Sequence, residues 1–304
     1  MTLLADLTIR ASVIVLAGLG GTLLLRRRSA ALRHAVLAGS MFAAALTAPL
    51  SLMLPSWNLF APEHVSPNTQ GTVEPLPPTI SGSAGATQEP PPATGAQLLV
   101  AVWAAGVLVG MARLLGGIHH LRRMSHGAGP DGDDRWTRMT LEISTACRLR
   151  RRVVICLTDT PGLLGTFGLW PPRVLLPSQA RLWSDERIRV VLLHEVAHIR
   201  RHDWIVQLCT DALRSVCWFN PLFRVACARL RRHSEQACDD AVLRAGIQPR
   251  AYAAHLLDLA RVCRRHDLAS AVTTPMARPS TLERRVFAML DSTLDIHRCR
   301  PAHS

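Results

Sequence analysis

Three stretches of this chain, about Leu3 to Leu25, Ala35 to Leu54 and Leu98 to Gly117, stay apolar over roughly the 20 residues a helix needs to cross a bilayer. Hydrocarbon offers a backbone no water to bond with, so only helices or closed barrels span it. Residues 1–118 therefore read as three membrane helices, which fixes the fold class as mainly α before any motif is considered. A 48% hydrophobic content with a net charge of +13 fits a membrane protein with a basic aqueous part better than a soluble enzyme.

Charge gives the orientation. Arg26, Arg27, Arg28, Arg33 and His34 separate the first two runs, whereas residues 55–96 contain no Lys or Arg. The positive-inside rule places the first segment in the cytoplasm and the second outside, so the N-terminus faces out and the chain after the third run faces in. The first run is not read as a cleaved signal peptide, because its basic cluster follows the apolar stretch. Asp6 and Arg10, one helical turn apart, are expected to pair or snorkel near its outer end. Residues 61–95, rich in Pro, Ser, Thr and Gly, read as an exterior spacer. Residues 119–137 read as a linker and 138–304 as a cytosolic domain in a bacterial-type cell membrane.

That domain contains His194-Glu195-Val196-Ala197-His198 within an apolar helical pattern running from Ile188 to Ile199. On a helix, side chains four apart share a face, so both imidazoles can reach one metal ion while Glu195 addresses a neighbouring water. Zinc held by three protein ligands keeps an open position for water and lowers its pKa toward about 7, and a carboxylate beside it can take the proton. The alternative is two capped or solvated histidines, but unpaired burial would cost about 1–3 kcal/mol each.

A third ligand must come from elsewhere. The extended HExxHxxGxxH form fails, with Arg201 and Trp204 where it needs Gly and His. Asn220-Pro221 reads as a helix start, and the helix beyond it carries Glu235 and Asp239 on one face. Glu235 is the candidate ligand. Asp239 either orients a histidine ring or pairs on the surface with Arg231 or Arg232. His202 and His233 are rivals, the former on a face flanked by Arg200, Arg201 and Asp203. The lone tyrosine, Tyr252, is read as core-facing rather than as an oxyanion donor.

All eight cysteines follow the third run and none forms a CxxC pair, which suits small buried hydrophobes in a reducing compartment; Cys238 lies beside the candidate ligand.

Several ordered segments together carry a family resemblance: Gly165-Thr166-Phe167-Gly168-Leu169-Trp170-Pro171-Pro172, LLHEVAHIRRHDW, Trp218-Phe219-Asn220-Pro221, EQACDD and Leu282-Glu283-Arg284-Arg285-Val286. From about residue 97 to 291 the chain resembles the BlaR/MecR-type membrane metallopeptidases. The resemblance implies zinc on His194, His198 and Glu235, Glu195 as base, and a gluzincin-like α+β peptidase domain. It also implies a small mixed sheet with strands near Val153 to Leu157 and Val174 to Leu176.

All 35 basic residues are arginine. The SxxK and KTG elements of penicillin-recognising sensors need lysine, so no such site exists here. The expectation is the membrane-peptidase half of such a protein, ending soon after the LERRV segment, with any stimulus arriving through the loop, the membrane or a separate sensor partner. The arginines recur in small groups without interleaved aromatics, which suits anionic lipid rather than direct nucleic-acid binding.

Three functions remain open on sequence: an endopeptidase cutting a cytosolic BlaI/MecI-like repressor, with its own chain as a second candidate; an HtpX-like quality-control protease; and a non-catalytic zinc-binding membrane scaffold. An intact Glu195 favours catalysis.

Overall fold

Apolar length alone dictates the first three elements. In the computed structural model, which describes residues 2–53, 95–127, 134–159 and 164–267, helices α1 (Thr2–Leu24), α2 (Ala30–Met53) and α3 (Gly95–Gly127) each contain a stretch long and apolar enough to cross a membrane. The Asp6–Arg10 pair forms at 2.9 Å. Two boundaries differ from the sequence reading. Helix α2 starts at Ala30 rather than Ala35, which draws Arg33 and His34 out of the expected loop into the helix, and α3 continues ten residues past Gly117. Neither extension meets a breaker on its way, Ala30–His34 holding no Gly or Pro and the run past Gly117 none before Gly127, so the helices propagate. All but the last two residues of the exterior segment 55–96, the Leu282–Val286 motif and Cys299 lie outside the described residues.

Helix α4 (Asp134–Ala146) leads to a three-stranded sheet of β1 (Val154–Thr158), β2 (Gly165–Phe167) and β3 (Arg173–Pro177). The strand order is β1-β3-β2, with β1 parallel and β2 antiparallel to β3, which leaves β2 on an edge. The small mixed sheet is as the resemblance implies; β2, three residues long, carries too little alternation to be read from sequence.

Helix α5 (Asp185–Arg201) bears the HEVAH segment. Ser184 caps it, accepting from the Arg187 amide, and Asp185 and Glu186 complement the dipole in its first turn. His202, with φ 57°, turns the chain left-handed into α6 (Asp203–Val216). Helix α7 (Pro221–Arg244) begins where Asn220-Pro221 indicated, the Asn220 side chain accepting from the Leu222 amide at 3.0 Å. Helix α8 (Pro249–Asp267) follows.

Two cores flank this frame. One packs Trp136 and Ile143 of α4, Ile155, Val174 and Leu176 of the sheet, and Ile188, Leu192 and Val196 of α5. The other joins Val15 and Leu19 of α1, Leu37 and Met41 of α2, and Phe223, Cys227 and Leu230 of α7. The second core thus runs across the division drawn at residue 138, tying the apolar N-terminal helices to the helix that carries Glu235.

Candidate metal centre

The α5 helix turns one apolar face to the sheet and leaves His194 and His198 facing α7. Both are almost fully buried, 5% and 6% exposed, with ring centroids 4.9 Å apart. Glu235 of α7 meets them. Its Oε2 lies 3.6 Å from His194 Nε2 and its Oε1 3.6 Å from His198 Nε2, and one ligand atom from each of the three lies within 4.8 Å of the others. Glu195, one position along α5, is fully buried beside them.

The far side of each ring fixes which nitrogen is available. His198 Nδ1 lies 2.8 Å from Asp203 Oδ2, and His194 Nδ1 lies 3.0 Å from the Tyr252 hydroxyl. Tyr252 in turn donates to Asp239 Oδ1 at 2.7 Å. With protons on both Nδ1 atoms, as these acceptors favour, each Nε2 lone pair points at Glu235. Two imidazole nitrogens and one carboxylate are the borderline donor set that suits zinc, so the residues present fit that ion.

Asp203 has several partners. Ser234 Oγ donates to its Oδ2 at 2.6 Å, Arg201 Nη2 lies 3.4 Å from Oδ1, and His34 Nε2 of α2 lies 3.7 Å from Oδ1. Burial alone would push the carboxyl up, but the hydrogen bond and charge of His198, with Arg201 and Ser234, hold it below its ordinary value. Cys238 Sγ sits 3.9 Å from Asp203 Oδ2; burial first, and the nearby acids next, push its thiol well up, so it stays a neutral weak donor.

The structure brings His194, Glu195, His198, Glu235 and Asp239 together. Asp239 lies 3.4 Å from His194 Nδ1 and reaches it through the tyrosine hydroxyl, while Arg231 pairs with Asp211 at 2.6 Å instead. His202 is exposed, and His233 is half-buried against Gln236; neither joins the cluster. Two contributions escaped the sequence. Tyr252 is core-packed as expected, yet its hydroxyl reaches the back of His194, away from any open side. Asp203 looked like part of a solvated, arginine-flanked face, although an acid at the first position of the helix after HEVAH was the signal that could have found it.

Beside His198 a cleft opens between the sheet edge and α6, lined by Thr166, Phe167, Gly168, Leu169, His202 and Trp204. A buried HExxH pair, a carboxylate from a second helix and an open sheet edge alongside define the class: a mainly helical protein with a candidate metal centre and apolar N-terminal helices. The family model described as BlaR1 peptidase M56 matches residues 2–289, and the chain belongs to that family. Over 79 residues, 26% of this chain, it is 35% identical to the "Regulatory protein BlaR1" of Bacillus licheniformis, a match covering 13% of that protein. An equally long match to the "Methicillin resistance mecR1 protein" of Staphylococcus aureus is 29% identical and covers 14% of it. The chain thus matches only a small part of these relatives' length.

Proposed function

We propose that this chain is an integral-membrane zinc endopeptidase in signal transduction, hydrolysing a peptide bond in a cytosolic protein. The observation that carries the reading is the convergence of His194 Nε2, His198 Nε2 and Glu235 beside Glu195. These three would hold the ion, which when bound supplies Lewis acidity toward water and a scissile carbonyl. Glu195 takes the proton of the attacking water on a carboxylate oxygen and returns it to the leaving amine nitrogen. Asp203 and the Tyr252–Asp239 pair hold the two rings in register. An extended substrate lies antiparallel to edge strand β2, its backbone bonding to Gly165–Phe167 and its side chains entering the cleft.

By likeness to the BlaR1 and mecR1 proteins, the substrate is a BlaI/MecI-like repressor, with the chain itself as a second candidate. The N-terminus faces out and the gluzincin-like centre faces the cytosol, near anionic lipid that its arginines attract. The test is reconstitution of the full chain in vesicles, with zinc per chain measured by mass spectrometry and cleavage compared between wild type and Glu195→Gln. Retained zinc with cleavage reduced at least about 100-fold supports catalysis; equal cleavage by both sinks it and leaves the scaffold reading.

A further inference from the structure

Helices α6 and α7 do not sit wholly below the three apolar helices; they run up between them. At the corner where α6 turns into α7, the Trp103 indole of α3 donates to Val216 O at 3.1 Å and Trp218 donates to Trp103 O at 3.3 Å. On the opposite side, Asn220 Nδ2 donates to Ser12 Oγ of α1 at 2.8 Å. Two independent rulers then measure the depth. Ser12 lies seven residues along α1 from the start of its apolar span at Ala5, and Trp103 six residues along α3 from Gln97. At 1.5 Å per residue, both put the corner about 10 Å along those helices from the start of their apolar spans.

The other end of the hairpin agrees. Asp203, the first residue of α6, meets His34 in the second turn of α2, near the opposite face. Along α2 His34 lies four residues, about 6 Å, from the start of its span at Ala30, and the 14 residues of α6 climb about 20 Å further, so the corner stops short of the level where the α1 and α3 spans begin. None of this depends on which face is cytosolic.

The chemistry of the corner fits such a place. An irregular turn persists in hydrocarbon only if its polar backbone is bonded internally. Val216 O accepts from Trp103, Cys217 O from the Asn220 amide, and Trp218 O from Arg224 Nη2, while Asn220 caps α7. Small residues let α3 come close: a Cβ on Gly106 would overlap the Trp218 indole, and one on Gly110 would come within 2.7 Å of Ser215 Cβ. Of the charged residues between, Asp211 is bonded to Arg214 at 3.2 Å and to Arg231 at 2.6 Å, as intramembrane charges require, while Arg229 and Arg232 lie further along α7, toward the opposite face. Arg224, exposed in the first turn of α7, turns its guanidinium back to the corner, where Nη2 bonds to Trp218 O. What remains on the outside is apolar: Val216, Phe219 and Val225 are 39%, 47% and 44% exposed.

We infer that α6 and α7 form a membrane-embedded hairpin whose corner, Cys217 to Asn220, lies in lipid acyl chains, which cover Val216, Phe219 and Val225. This rests on the membrane-spanning part of the proposed function and is independent of its peptidase part. The full chain would be reconstituted in phosphatidylcholine–phosphatidylglycerol vesicles containing a lipid with a diazirine at mid-chain, irradiated, and its peptides mapped by mass spectrometry. The expected result is acyl adducts on the 216–225 peptide at a frequency within about threefold of that on α1 and α3, with at least tenfold fewer on the α4 peptide. Adducts on α1 and α3 with none on 216–225 overturn the hairpin alone; none on any of them overturns the membrane reading too. As a second measurement, Phe219→Asp should lower, and Phe219→Leu retain, the yield of folded protein from membranes. Equal yields with adducts absent from 216–225 would place the corner in water.

Discussion

The two histidines of HEVAH sit one turn apart on the same helix, yet the networks behind them reach different parts of the molecule. His194 is backed by Tyr252 and Asp239, from α8 and α7, within the part of the chain that follows the apolar helices. His198 is backed by Asp203, whose own neighbours include Ser234, Arg201 and, from α2, His34. One arm of the candidate centre is therefore local and the other touches an apolar helix. The pair teaches that the centre is a joint between separately packed clusters rather than a pocket cut into one.

The comparison is broken most severely at Asp203. Replacement by Ala strips His198 and the Ser234 hydroxyl of their carboxylate acceptor and leaves Arg201 only Ser234 O and Cys238, so zinc affinity should fall roughly 10- to 100-fold in a competitive chelator titration. Tyr252→Phe removes only the bridge to Asp239, and a loss nearer the low end of that range, about tenfold, is expected from the same titration. An effect of Tyr252→Phe larger than that of Asp203→Ala would reverse the asymmetry drawn here.

His34→Ala should weaken zinc binding by a smaller factor, about two- to fivefold, because His34 reaches the ligand only through Asp203. Its diagnostic is coupling. In double-mutant cycles on zinc affinity, His34→Ala should interact with Asp203→Asn by about 0.5–3 kcal/mol and be additive with Tyr252→Phe within about 0.5 kcal/mol. Additivity with both would cut the link between α2 and the centre.

The smallest effect concerns acid. Because Asp203 is held below its ordinary value in the folded chain, its stabilising contribution is complete above the usual carboxylate pKa of about 3.9 and is lost as pH falls through the lowered folded value. Urea midpoints of the metal-free chain should drop more steeply below about pH 4 for wild type than for Asp203→Asn. Parallel curves would show that Asp203 adds nothing to the His198 arm.

What the sequence disclosed follows the range of the interaction. The apolar pattern of α5, the Asn220-Pro221 start of α7 and the i,i+4 placement of His194 and His198 are local, and all stand where the pattern put them. Glu235 is remote but was tied to the others by donor chemistry. Asp203, His34 and the Tyr252 hydroxyl were hidden for one reason: each acts through a contact made only when separate helices pack, and each sits in a stretch whose local composition reads as solvated, basic or apolar. The polar start of α2 misled in the same way, since positive residues between two apolar runs signal topology but do not say where a helix begins.

The glycine pair on α3 also restricts how that helix can move. Gly106 and Gly110 are recesses that admit Trp218 and Ser215. A slide of α3 by one turn would bring Val102 against the Trp218 indole in one direction or Leu114 against Ser215 in the other, and neither place has room for the larger side chain. Helix α3 is thus locked in register along its axis, like a key whose notches match one position of the lock. Any displacement of α3 relative to the hairpin must be a tilt or a parting of the two surfaces, because the piston stroke is blocked.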